Sequence, residues 1–177
     1  MKRVVLLFWG KGGNVERAAE KVYAMFDASQ IDMIDVASFD ASTINNYDLI
    51  ILGGSTIGAE IWTDVKDDNE WSRFFVAVEK TDLSGKFSAF FWLGDQVLYP
   101  DHYVDALGVF KQEMQPTGVK IIGEWPIEGY RFTDSDGYDG KMFFGLALDE
   151  DRQPELTEDR AKKWTDILKK EAGLLLN

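Results

Sequence analysis

The sequence predicts a three-layer α/β/α sandwich on a five-stranded parallel sheet, and three observations predict it. Apolar runs alternate along the chain with segments of helical period, as they do when buried parallel strands are joined by crossover helices. The runs are four to seven residues long, a strand length well short of a membrane span. The 177 residues, 45% of them hydrophobic, suffice for one domain with a sizeable core and argue against a second. Residues 1–177 are accordingly expected to form a single domain.

The predicted strands are Val4 to Trp9, Ile31 to Val36, Leu49 to Leu52, Phe87 to Leu93 and Val119 to Ile122. Between them, Val15, Ala18, Ala19, Val22 and Phe26 make one helical stripe, and Trp71, Phe74, Phe75 and Val78 a second. A third runs through Tyr103, Leu107, Phe110 and Met114, and the last through Ala161, Trp164 and Leu168. Thr157 is predicted to cap the last helix, with Glu158 and Asp159 complementing the dipole in its first turn. Aromatic residues on such stripes are core rather than a cofactor box. Right-handed crossovers allow either of the two doubly wound strand orders, and periodicity does not choose between them.

Charge and composition bound the function. Nineteen Lys and Arg against 31 Asp and Glu leave a net charge of −12, which argues against a sequence-independent grip on nucleic acid or an anionic membrane. A partner with a basic surface is the natural counterpart. There is no cysteine and a single histidine, His102, so disulfides, thiolate metal sites, cysteine-held iron–sulfur clusters and a thiol nucleophile are excluded. The six-residue run Val4 to Trp9 is too short for a signal-peptide core, and the cytoplasm is the expected compartment.

Doubly wound sheets bind ligands at the carboxyl ends of their strands, which directs attention to the loops after Trp9, Leu52 and Leu93. The first reads Gly10-Lys11-Gly12-Gly13-Asn14-Val15-Glu16 and opens directly into a helix. Such a loop aims backbone N–H groups at an anion, assisted by the helix dipole. It lacks the Gly-Lys-Ser/Thr ending of a Walker A loop, and Val15 stands where a dinucleotide fingerprint needs its third glycine. Asp35, about 20 residues on, is a lone match to a ribose-binding carboxylate. The plain alternative is a strand-to-helix turn whose glycines supply positive φ.

The other two loops are Gly53-Gly54-Ser55-Thr56-Ile57-Gly58-Ala59-Glu60 and Leu93-Gly94-Asp95-Gln96-Val97-Leu98-Tyr99-Pro100-Asp101. They resemble the two flavin-ring loops of flavodoxins, and the string Leu-Gly-Asp-Gln-x-x-Tyr is distinctive of that family. The similarity continues through Ile121 to Tyr130 and Gly145 to Lys163, segments like those of long-chain flavodoxins, whose final strand is split by an insertion, here about residues 126–141. The resemblance implies strand order 2-1-3-4-5. It also implies a low-potential, FMN-dependent electron carrier with no catalytic acid or base, in which the protein tunes the flavin. By position, Tyr99 stacks on the outer flavin face, and Leu93, Gly94, Asp95 and Gln96 line the ring's polar edge by their backbone. Ser55, Thr56, Ile57 and Gly58 form the inner ring loop, with Ile57 where many flavodoxins place a tryptophan and Gly58 at the peptide that can reorient. The bland reading of Tyr99 is a surface aromatic beside a proline turn.

The phosphate loop departs from the family, which carries several Ser and Thr hydroxyls there; none lies between Gly10 and Glu16. Either Gly10, Gly12 and Val15 replace the hydroxyl residues, or Lys11 replaces the first and the loop is one residue short. The expectation is a bare anion nest, with Lys11 and the N–H groups of Gly12, Gly13, Asn14 and Val15 around the FMN phosphate. The competing fate of Lys11 is solvent. Glu60, Asp64, Asp67, Asp68, Glu70, Asp95 and Asp101 lie on or beside the ring loops, so basic reductases and electron acceptors are the expected partners of a monomer through an acidic flavin edge. The alternative function is a flavodoxin-derived binding or regulatory module that takes FMN weakly or not at all.

Overall fold

The computed structural model describes residues 3–55 and 68–174. Its sheet begins with β1 (Val4–Phe8), every residue of which is buried, and β1 leads through the glycine loop into α1 (Asn14–Tyr23). Then follow β2 (Ile31–Asp35), β3 (Leu49–Ser55), α2 (Glu70–Val78) and β4 (Phe87–Leu93). The chain continues through α3 (Ala106–Met114) and β5 (Lys120–Ile121). A small antiparallel pair, β6 (Trp125–Pro126) and β7 (Met142–Phe143), precedes β8 (Leu146–Leu148) and α4 (Thr157–Glu171).

The strands are parallel in the order β2-β1-β3-β4-β5, the order that the family resemblance implies. The outer edge of β4 is shared: its start pairs with β5 at Phe87 and Ser88, and its end pairs with β8 from Phe91 to Leu93. The chain between β5 and β8 leaves the sheet and returns. Within that excursion the Asp136 carbonyl passes so close to α3 that a Cβ on Gly108 would sit 2.1 Å from it.

Neighbouring residues of β4 face opposite layers. Phe90 meets Phe110 of α3, and Phe91 meets Trp164 of α4. Trp71 and Phe75 of α2 pack edge-on against Phe110, their ring centroids 4.9 and 4.8 Å away, which joins α2 and α3 in one layer. The other layer pairs α1 with α4. The predicted stripes are all buried, so each helix is held by an apolar face packed on the sheet.

Three expectations are corrected. Strand β3 runs on to Ser55 instead of stopping at Leu52, because the glycines that read as loop make room for aromatic rings. A Cβ on Gly53 would lie 1.9 Å from the Phe91 ring, and one on Gly54 2.7 Å from Trp92. Thr157 is not a cap: a 3-10 turn over Pro154–Leu156 runs straight into α4, and the Thr157 hydroxyl bonds the Glu150 carboxylate instead. Tyr103 precedes α3, in a turn where Val104 adopts φ +52°, a left-handed conformation unfavourable for a β-branched residue.

Candidate functional site

The carboxyl ends of β1, β3 and β4 meet around a cleft of about 220 Å³. Asn14 comes from the start of α1, Ser55 from the end of β3, and Leu93, Gly94, Asp95 and Tyr99 from the end of β4 and its loop. His102, Tyr103 and Val104 close one side, and Glu150 and Asp151, after β8, another. Of the expected site residues, Asn14, Ser55, Leu93, Gly94, Asp95 and Tyr99 line this one cleft. Thr56, Ile57, Gly58, Glu60, Trp62, Asp64 and Asp67 lie outside the described residues.

The loop after β4 is built by Asp95. Its Oδ1 accepts the N–H groups of Val97 and Leu98, each at 2.9 Å, and its carboxylate takes a two-pronged contact from Arg152 at 3.0 and 2.9 Å. Burial pushes this carboxyl up, but the Arg152 contact and the two amides outweigh it and hold its pKa below the ordinary value. The turn closes with Tyr99 N–H donating to the Asp95 carbonyl at 2.9 Å, which seats the partly exposed Tyr99 on the cleft.

Under the loop lies a polar network that sequence reading missed. Asp149, fully buried, accepts the backbone N–H of Gln96 at 3.1 Å and its side-chain amide at 2.9 Å. Gln96 also donates to Gln153, which accepts from Arg160, and the Arg160 guanidinium lies 4.1 Å over the Tyr130 ring. Gly94 N–H donates to the Leu148 carbonyl at 3.0 Å. The amides of Gly94 and Gln96 thus fasten the loop to its floor, and the Asp95 N–H is the one that neither contact engages.

The glycine loop turns through positive φ at Gly10 (119°) and Gly12 (76°), and Gly13 occupies the N-cap of α1 with no side-chain cap. Internal partners already engage its polar groups. Gly12 N–H donates to the Glu16 carboxylate at 2.6 Å, Lys11 Nζ stands 3.7 Å from Asp35, and the Asn14 side chain accepts from Arg17. Lys11 lies in a groove with Asp35 on the β2 side, not among the residues lining the cleft. Val15 is buried in the core, so only its backbone can serve a ligand.

The described part of the acidic face is partly neutralised. Arg73 holds Asp68 at 2.7 Å and Glu70 at 2.6 Å, and Arg152 holds Asp95. Asp101 stays exposed, as do the apolar side chains of Val97 and Leu98. Among the described residues, no helix is long and apolar enough to cross a membrane, and no cluster of His, Asp or Glu could hold a metal ion.

Fold and cleft together define a doubly wound α/β protein whose cleft lies at the topological switch point, where the paired strands β1 and β3 send their crossovers to opposite layers. The family model for flavodoxin matches residues 6–164. The chain is 36% identical over 175 residues to a flavodoxin of Picosynechococcus, covering 98% of this chain and all of that one. It is likewise 36% identical over 170 residues to flavodoxin 1 of Escherichia coli, covering 96% of this chain and 94% of the relative. A crystal structure of Fusobacterium nucleatum flavodoxin bound to flavin mononucleotide superposes with a TM-score of 0.85 at 22% identity, covering 97% of this chain and 99% of that one. The chain belongs to the flavodoxin family.

Proposed function

We propose that this chain carries electrons singly, at low potential, on FMN held in the cleft after β1, β3 and β4. The convergence of Asn14, Ser55, Gly94, Asp95 and Tyr99 on that cleft carries the reading. Flavodoxins are electron carriers rather than enzymes, and their partners are redox proteins. FMN supplies the one-electron chemistry, while the polypeptide binds it, orients it and sets its electrostatic surroundings.

The donor set suits the group. The Gly12 N–H already holds a carboxylate oxygen at 2.6 Å, so the loop offers an anion what a phosphate needs. Tyr99 would cover one ring face, and Leu93, Gly94 and Asp95 the polar edge, with Asp95 N–H as donor. Ser55, Thr56, Ile57 and Gly58 would form the inner side, and Gly10, Lys11, Gly12, Gly13, Asn14 and Val15 would surround the phosphate. Lys11 would act there by leaving Asp35.

The wider reading is of a cytoplasmic monomer, one domain over residues 1–177, of long-chain type with its insertion at about 126–141. A basic reductase and a basic acceptor would dock at the flavin edge, where Asp101 supplies charge and Val97 with Leu98 supply apolar contact. Family membership favours this over a module that has lost FMN. Freshly purified protein should show flavin absorbance, and cofactor-stripped protein should quench added FMN more strongly than riboflavin. Protein that quenches neither would refute the carrier and return the chain to the class of binding modules.

A further inference from the structure

We propose that His102 is the proton-binding residue coupled to electron transfer: it takes a proton from water when the flavin in the cleft takes an electron from a redox partner. The inference rests on the FMN reading above. His102 is the single histidine of the chain, and histidine is the side chain whose ordinary titration falls near neutral pH. It lines the same cleft as Tyr99, Gly94 and Asp95.

The ring is fixed rather than loose. Its Nδ1 lies 3.0 Å from Asp105 Oδ2, and Asp105 is buried, with its other oxygen accepting the Asp136 N–H at 2.9 Å. Asp105 thus orients the imidazole through one nitrogen and leaves Nε2 to exchange its proton with water; the side chain is 48% exposed.

Among the described residues, the other charged side chains lining the cleft are Asp95, Glu150 and Asp151, and Tyr99 and Tyr103 are its other titratable groups. Asp101 shares the turn, while Asp134 and Asp136 belong to the segment that packs on Pro100 through the Thr133 and Asp134 amides. Across the cleft stand Glu150 and Asp151, and Asp95 is matched by Arg152. Carboxylates and guanidinium groups ordinarily keep one charge state between about pH 5.5 and 8.5. Among the described residues lining the cleft, His102 is the one side chain of a type that gains positive charge in that window.

Reduction adds an electron to the ring, and the imidazolium is favoured beside the added negative charge. By reciprocity, a protonated His102 draws the electron in. The potential of the charge-gaining step then falls as pH rises through the His102 midpoint.

The uniqueness of His102 makes the test direct. Its ring resonances are followed by NMR against pH in FMN-loaded protein, first oxidised and then fully reduced by dithionite. The midpoint should rise measurably on reduction. In parallel, the flavin potentials are measured between about pH 5.5 and 8.5 in wild type and His102→Gln, and the variant should lose most of the pH dependence of the charge-gaining step. A midpoint that does not move, or a variant with the wild-type pH dependence, overturns the proposal while leaving the carrier reading intact. Failure of the protein to load FMN at all defeats the carrier reading itself.

Discussion

Replacing Asp95 by alanine removes four hydrogen bonds at once, two from the Val97 and Leu98 amides and two from Arg152. A bond to a charged acceptor is worth about 1.5 to 3 kcal/mol, but Val97 and Leu98 are exposed, so water recovers part of it and about 1 kcal/mol per amide is the fair figure. Arg152 is 45% exposed, so solvent screening leaves its contact a minor addition. Asp95→Ala should therefore destabilise the cofactor-free protein by about 2 kcal/mol in urea unfolding at neutral pH. The sign with pH follows from the lowered pKa: this stability is fully present above the ordinary carboxyl value of 3.8 and is lost as pH falls through the folded value below it. The gap between variant and wild type should close in acid. A gap under about 0.5 kcal/mol at neutral pH, or one unchanged under acid conditions, would refute the claim that this carboxylate organises the ring loop.

Tyr99→Ala should weaken FMN and riboflavin alike, several-fold or more, with unfolding unchanged; equal affinities in fluorescence titration would return Tyr99 to an ordinary surface role. Glu16→Gln removes the charge that now competes for the Gly12 amide, and should tighten FMN by up to about tenfold while riboflavin moves little; tightening of both would exclude competition for phosphate. Gly53→Ala drives a methyl within 1.9 Å of the Phe91 ring and should cost about 1 to 3 kcal/mol or more by overpacking, read as a lower unfolding midpoint. Association with a basic redox partner should weaken between low salt and about 0.5 M ionic strength, and a flat response would reject electrostatic steering.

The parts of the fold legible in sequence were those with a strong local signal. Strand β4 is an unbroken apolar run and begins and ends where expected, at Phe87 and Leu93. Strand β3 was legible only to Leu52, because the fit of Gly53 and Gly54 beneath Phe91 and Trp92 is a fact about the neighbouring strand. The two- and three-residue strands β5 to β8 carry too few residues for a period to emerge. The cleft was visible through its loops, since Ser55, Gly94, Asp95 and Tyr99 stand in recognisable strings. Its support was not: Gln96 and Asp149 are 53 residues apart, and nothing local marks them as partners. Glu16 on Gly12, and Asp35 on Lys11, were invisible for a different reason. A glycine loop without hydroxyls reads as open to an incoming anion, whereas side chains of its own protein reach it first.

The dependence of the ring loop on the end of the chain has a consequence for biosynthesis. The Gly94 amide is fastened to Leu148, Gln96 to Asp149 and Asp95 to Arg152. A polypeptide leaving the ribosome has made β1 to β4, Tyr99 and the glycine loop long before those three residues exist, and domains tend to condense from the N-terminus as they emerge. The nascent chain can assemble most of the sheet with a ring loop that has nothing beneath it. On this ground the ring loop should become able to hold flavin only after residues 148–152 have been made, and a ribosome stalled short of Leu146 should display a sheet whose ring loop lacks these contacts.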